Sequence, residues 1–274
     1  MTFREFVALT QRELLKWVRA PIGIVSSLML PFFYLLLFGQ SLNLGKLVPA
    51  SESGAVYLGA PTYFSYFSVG MVGFIMLFTG LFAGANVIFA RRFGTLKKET
   101  AAPIPREVIF TSRVSAGVVR GVLFGAVVLV IALAFARIPG LSGLRLAGHA
   151  GVVGAVEIVI AMACITALFS SIFIALGFLT EQIESYFALV NLVNLPVLFS
   201  SNALFPTTLF PAWLKTVAAW NPVSLGVDVM RENAFGSAAY YPYPPAEYLG
   251  ILLLVTAVVV ALMAMVTRWS LRPR

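Results

Sequence analysis

Arg91-Arg92-Phe93-Gly94-Thr95-Leu96-Lys97-Lys98-Glu99-Thr100-Ala101-Ala102-Pro103-Ile104-Pro105-Arg106 is a polar strip between two long apolar runs, Pro61 to Ala90 and Val108 to Ala136. Each run exceeds the roughly 20 residues that cross a hydrocarbon core. The strip, rich in Lys and Arg, is too polar to enter one. It therefore joins two membrane spans on a single side of a bilayer. Composition agrees: 60% of the 274 residues are hydrophobic and 11% charged, and mean hydropathy is +0.94, whereas soluble domains carry about a quarter charged residues. A soluble fold is excluded, and 1–274 reads as one all-α integral membrane domain.

Working outward from the strip, apolar length marks six spans: 22–39, 61–90, 108–136, 148–178, 186–205 and 248–268. The charge balance, nineteen Lys and Arg against eleven Asp and Glu, then reports topology rather than nucleic-acid binding, because basic residues concentrate in cytoplasmic loops. The two termini and the strip share one side. They hold Arg4, Arg12, Lys16, Arg19, Arg91, Arg92, Lys97, Lys98, Arg106, Arg113, Arg268, Arg272 and Arg274, against Lys46, Arg137, Arg145, Lys215 and Arg231 on the other. Both termini are expected in the cytoplasm, with the plasma membrane as the simplest location. The first fifteen residues lack an apolar run with a small-residue cleavage site, so no secretory signal is expected there.

Residues 1–20 place Phe3, Phe6, Val7, Leu14 and Val18 opposite Arg4, Arg12, Lys16 and Arg19 at helical spacing. An amphipathic helix lying on the membrane surface fits this pattern, and so does a snorkelling basic flank of the first span. Pro21 ends the segment.

Catalytic chemistry is poorly provided for. The single histidine, His149, belongs to no His-Glu-x-x-His motif, and the single cysteine, Cys164, lies in an apolar stretch, so neither catalytic nor metal residues are expected. Gly45-Lys46 is followed by Leu47, which breaks the phosphate-loop pattern. ATP and its magnesium, if used, must be held by another subunit.

Two segments remain. Within 91–107, Gly94 and Thr95 are suited to start a short helix that closes before Pro103. Held between spans, it could transmit a push from a cytoplasmic partner; a basic loop that only sets topology reads equally from the charges. After the fifth span, Leu195-Pro196-Val197-Leu198-Phe199-Ser200-Ser201-Asn202-Ala203-Leu204-Phe205-Pro206 leads through Phe210-Pro211-Ala212-Trp213-Leu214-Lys215 to Trp220-Asn221-Pro222. The piece around Trp213 is apolar but too short to span. Residues 206–233 thus read as a re-entrant or interfacial segment on the outer side, continuing through Asp228, Arg231 and Glu232.

Gly94-Thr95-Leu96 with Pro103 after the second span, joined to the Leu-Pro, Phe-Pro, Trp-Leu and Asn-Pro steps between Leu195 and Pro222, resembles the permease subunits of type-2 ATP-binding-cassette exporters. The resemblance covers nearly the whole chain: elbow helix, six spans, coupling helix and a re-entrant pair. It implies two ATPase subunits and two permease subunits, the latter as a homodimer among membrane lipids, with no nucleic acid involved. Arg92, Phe93, Gly94, Thr95, Leu96, Lys97, Lys98, Glu99 and Pro103 would form the ATPase-coupling segment. Such families move drugs, lipids or lipid-linked glycans outward past spans one, two and five. Basic residues here replace the acidic ones common around Gly-Thr-Leu, and Ser200-Ser201-Asn202-Ala203 replaces a frequent Ser-Gly pair. The latter looks more like the drug-resistance branch than the polysaccharide branch.

Several residues invite roles inside the membrane. At about 1.5 Å per residue, Arg120 lies roughly 18 Å above Val108 and Glu157 roughly 14 Å below Gly148, similar depths in a core about 30 Å thick. An ion pair between spans three and four is expected; Glu157 as a proton or substrate site is the alternative. Asn191 and Asn194 could line a path or join helices; Phe64, Phe67 and Phe74 could stack an amphiphile or anchor at the membrane interface, and Phe199 is assigned to the same path. A secondary transporter or channel using Glu157 and Arg120 as its ion or proton site is the competing function. Phe205, Pro206, Trp213, Asn221 and Pro222 are expected to shape the re-entrant segment.

Overall fold

The computed structural model describes residues 3–41, 53–102, 104–146, 151–236 and 240–270. Pro103, His149, Gly148, Gly45, Lys46, Leu47, Arg272 and Arg274 lie outside these. The described residues form helices and connections: α1 (Phe3–Val18), α2 (Pro21–Phe33), α3 (Gly39–Ser41), α4 (Ser53–Val56), α5 (Tyr63–Arg92), α6 (Thr95–Ala101), α7 (Arg106–Phe135), α8 (Val152–Leu179), α9 (Ile183–Ser200), α10 (Ala212–Trp220), α11 (Pro222–Phe235) and α12 (Pro245–Ser270). Six stretches among them are long and apolar enough to cross a membrane: Pro21–Ser41, Tyr63–Arg92, Arg106–Phe135, Val152–Leu179, Ile183–Ser200 and Pro245–Trp269.

Helices α5 and α8 form the buried centre, with α7, α11 and α12 packed around them, α1 lying on α7, and α9 at the edge. Lipid chains are as apolar as leucine, so close backbone approach rather than a hydrophobic force holds spans together. Small residues supply that approach. A β-carbon on Gly84 of α5 would strike the Phe173 carbonyl, and one on Gly177 of α8 would come within 2.6 Å of the Gly84 carbonyl oxygen. Along α7, Gly117, Gly121 and Gly125 recur at helical spacing and face Ser170, Thr166 and Met76. The Tyr186 hydroxyl donates to the Leu81 carbonyl at 2.6 Å, tying α9 to α5.

The first span is irregular. Pro31 lies within α2, and residues Tyr34–Phe38 follow as a π-helical stretch before α3. A helical proline removes one backbone donor and crowds the preceding turn, so the span departs from regular α-helix on this stretch. At the end of this span Gln40 exchanges two hydrogen bonds with the backbone of Ser142, at 2.7 and 2.8 Å, fastening it to the connection after α7.

Helix α9 ends at Ser200, earlier than the span expected to reach residue 205. Ser201 is extended, with φ −85° and ψ 160°, and Asn202 to Leu204 run as irregular buried backbone. Such backbone is tolerated inside a membrane protein only where its polar groups find partners. Arg231, wholly buried on α11, donates to the carbonyls of Asn202 and Ala203 at 3.0 and 3.1 Å and to Tyr66. Tyr66 and Tyr63 on α5 donate to Asn202 and Leu204. The Arg231 guanidinium also stacks 3.4 Å from the Tyr66 ring centroid.

Candidate functional site

The end of α5 passes through Phe93 into Gly94, whose φ of +73° is the left-handed conformation that glycine adopts without strain. The chain there reverses into α6, and the Thr95 hydroxyl donates back to the Ala90 carbonyl at 3.0 Å. Seven residues make this helix, and its two faces differ. Leu96 and Glu99, one turn apart, point inward and are buried, whereas Arg92, Phe93, Lys97 and Lys98 are exposed.

Glu99 is the link between α6 and its surroundings. One carboxylate oxygen accepts from Arg113 of α7 at 2.8 Å, and the other from Arg12 of α1. Arg12 also reaches Glu13 at 3.2 Å, which Lys16 approaches at 2.9 Å. Burial raises the Glu13 carboxyl, but Arg113, Lys16 and Arg12 outweigh it and hold Glu13 below its usual value. Two guanidinium groups meet at Glu99, making it the shared counterion of α1 and α7. Arg91 plays a different part: it donates to the carbonyls of Phe178 and Thr180 at 2.6 and 2.8 Å, capping the end of α8.

Behind this network α1, α2, α5 and α7 enclose a cavity of about 660 Å³. Trp17, which meets Phe124 edge-on at 5.5 Å, and a stripe of Phe74, Phe78 and Phe82 along α5 form its apolar walls. Glu13, Lys16, Arg113 and Arg120 are its charged residues.

A six-span helical chain with a short helix held between its second and third spans matches the family model described as ABC-2 type transporter, over residues 4–235. The chain belongs to that family. It is similar to ycf38 of Porphyra purpurea, named a transport permease, with 28% identity over 83% of this chain and 73% of the relative. It is also similar to DrrC of Mycobacterium tuberculosis (strain CDC 1551 / Oshkosh), named a doxorubicin resistance ABC transporter permease protein, with 25% identity over 85% and 78%. Membership makes this a multi-pass transmembrane permease rather than an ATPase and implies ATP-binding subunits as its partners.

The intramembrane residues are arranged differently from expectation. Arg120 and Glu157 do not pair: the Arg120 Nε donates to Ala116 at 3.1 Å, and Glu157 accepts from Asn233 Nδ2 at 2.9 Å. Helix α7 has thirty residues, about 45 Å at 1.5 Å each, well beyond a 30 Å core. Measured from the ends of α7 and α8 remote from α6, Arg120 is about 22 Å deep and Glu157 about 8 Å. Phe64 and Phe67 are packed in the core rather than on a path, while Phe74 does reach the cavity. Asn194 is buried, but Asn191 and Phe199 on the same helix are exposed, so these six residues do not converge.

In the segment after α9, Phe205 is exposed and Pro206 buried. Trp213 and Trp220 on α10 are 68% and 74% exposed. Asn221 caps α11, accepting from Val223 N at 2.9 Å, with Pro222 in the first turn. Its side-chain amide donates to Val197 and Ser200 at the end of α9. The sequence placed Glu99 in the coupling segment with no partner assigned, and counted Arg231 among the charges of the outer connections. The signal for Glu99 was its position three residues from Leu96 on one helical face.

Proposed function

We propose that this chain is the permease of an ATP-driven exporter of amphiphiles, built from two copies of the chain and two ATP-binding subunits, which hold the ATP and magnesium. Both termini and α6 face the cytoplasm of the plasma membrane. The observation that carries the reading is α6 itself: a helix whose outward face offers Lys97 and Lys98 to a partner, beside exposed Phe93, while its inward Glu99 grips α1 and α7. Closure of the ATP-binding subunits would move α6, and Glu99 would pass that movement to two walls of the cavity. The similarity to DrrC favours drugs among the amphiphiles. Exposed tryptophans on α10 suit an interfacial or re-entrant helix at the outer surface, and exposed Phe3 and Val18 suit α1 lying as an elbow against lipid.

The test is co-expression with the ATP-binding subunit, using Lys97→Glu/Lys98→Glu on the exposed face. The unaltered chain should retain the ATP-binding subunit through purification. The double variant, with unchanged unfolding temperature, should lose it at least about tenfold, since like-sign reversal at an interface costs kcal/mol-scale affinity. Equal retention by both would refute α6 as the contact.

A further inference from the structure

The cavity between α1, α2, α5 and α7 has an unbalanced charge. Glu13 is already engaged by Lys16 and Arg12, and Arg113 by Glu99. Arg120 has neither arrangement: its Nε is satisfied by Ala116, and among the described residues its terminal nitrogens meet no acceptor. A guanidinium stays charged in any protein and carries five donors. Partly buried in the cavity wall, it leaves its terminal donors open to an anionic group. Beside it, Phe74 and Phe78 stack at 4.4 Å, and Phe82, 48% exposed, continues the same face of α5 outward. A cationic end and an aromatic wall form a complementary surface for a molecule with one acidic and one apolar part. A soluble anion would leave the wall unused, and a neutral lipid would leave Arg120 bare.

We propose that this cavity binds an anionic amphiphile, its acidic oxygens on Arg120 and its apolar body along Phe74, Phe78 and Phe82. Ser26 and Ser27 of α2, whose hydroxyls are turned to their own helix at Ile22 and Gly23, line the facing wall without competing for the ligand's charge. The site deepens the exporter reading and rests on it only for what happens to the amphiphile afterwards.

Native mass spectrometry of the purified permease in detergent, with phosphatidylglycerol or phosphatidylcholine of matched chains added, tests the binding directly. Phosphatidylglycerol should bind at least about fivefold more tightly, Arg120→Lys should keep that preference, and Arg120→Gln should abolish it. Ser27→Trp, which fills the cavity without altering charge, should displace phosphatidylglycerol. If Arg120→Gln does not fold, the preference of the unaltered protein and the Ser27→Trp result decide. Equal binding of the two lipids, an unchanged preference in Arg120→Gln, or displacement of phosphatidylglycerol by dodecyltrimethylammonium at lower concentration would overturn the proposal. So would a disulfide joining two Ser27→Cys chains, because a second copy would then cover the cavity. In the complex with its ATP-binding subunit, phosphatidylglycerol retained equally with and without ATP would overturn export of this lipid while leaving the binding site standing.

Discussion

Glu99 shows how much one residue can carry in this protein. Its side chain is 5% exposed, as is that of Arg113, so removing its charge leaves a buried cation without a partner. Breaking such a pair costs about 3–5 kcal/mol. Glu99→Gln should therefore lower stability by roughly that amount, measured by denaturant unfolding in detergent, whereas Glu99→Asp should recover part of it. Glu13 gives a pH signature. Its folded value is depressed below the ordinary 4.5, so its contribution is complete above about pH 4.5 and is lost as pH falls through the lower folded value. Glu13→Gln should be less sensitive than the unaltered chain to acidification below pH 4.5, read as unfolding midpoint against pH. Neither role was visible in the sequence, where Glu99 stood among Lys97, Lys98 and Thr100 in a basic strip. Arg231 was hidden for the same reason: a charge between spans looks like a loop charge until irregular backbone is found beside it.

For whole elements, legibility divides by physics. Span existence follows from length and apolarity, and all six were readable; α6 was readable because Gly94 opens it and polar residues keep it out of the bilayer. Facing was not. Helices α5 and α8 are apolar all round, so no moment distinguishes Phe64 in the core from Phe74 at the cavity. Depth failed because thirty-residue helices project past the membrane, which misplaced Arg120 against Glu157. The α5–α8 crossing is set by glycine contacts that no hydropathy profile weighs. Gly84→Leu should force the two helices apart at the Phe173 carbonyl, and overpacking at backbone contact has no cheap relief. The expected result is loss of most monodisperse protein in size-exclusion chromatography, while Gly23→Leu, with open space around it, should elute normally.

At the scale of the molecule, the buried α5–α8 centre is flanked by α1, α2, α6 and α7, which border the cavity and carry the candidate contact for ATP-binding subunits. Family membership supplies the partner class; the geometry supplies a route, from α6 through Glu99 to α1 and α7. The route predicts that movement imposed at α6 reaches the cavity before it reaches α10 and the opposite face.

The central claim is that α6 meets the ATP-binding subunit from the cytoplasm. Photo-crosslinking from p-benzoylphenylalanine at Phe93, exposed beside α6, tests it in native membranes, with the same group at Trp213 as the opposite-face reference. The account predicts an adduct identified by mass spectrometry as the ATP-binding subunit from position 93 and none from position 213. An adduct from position 213 alone, or none from either, would contradict it.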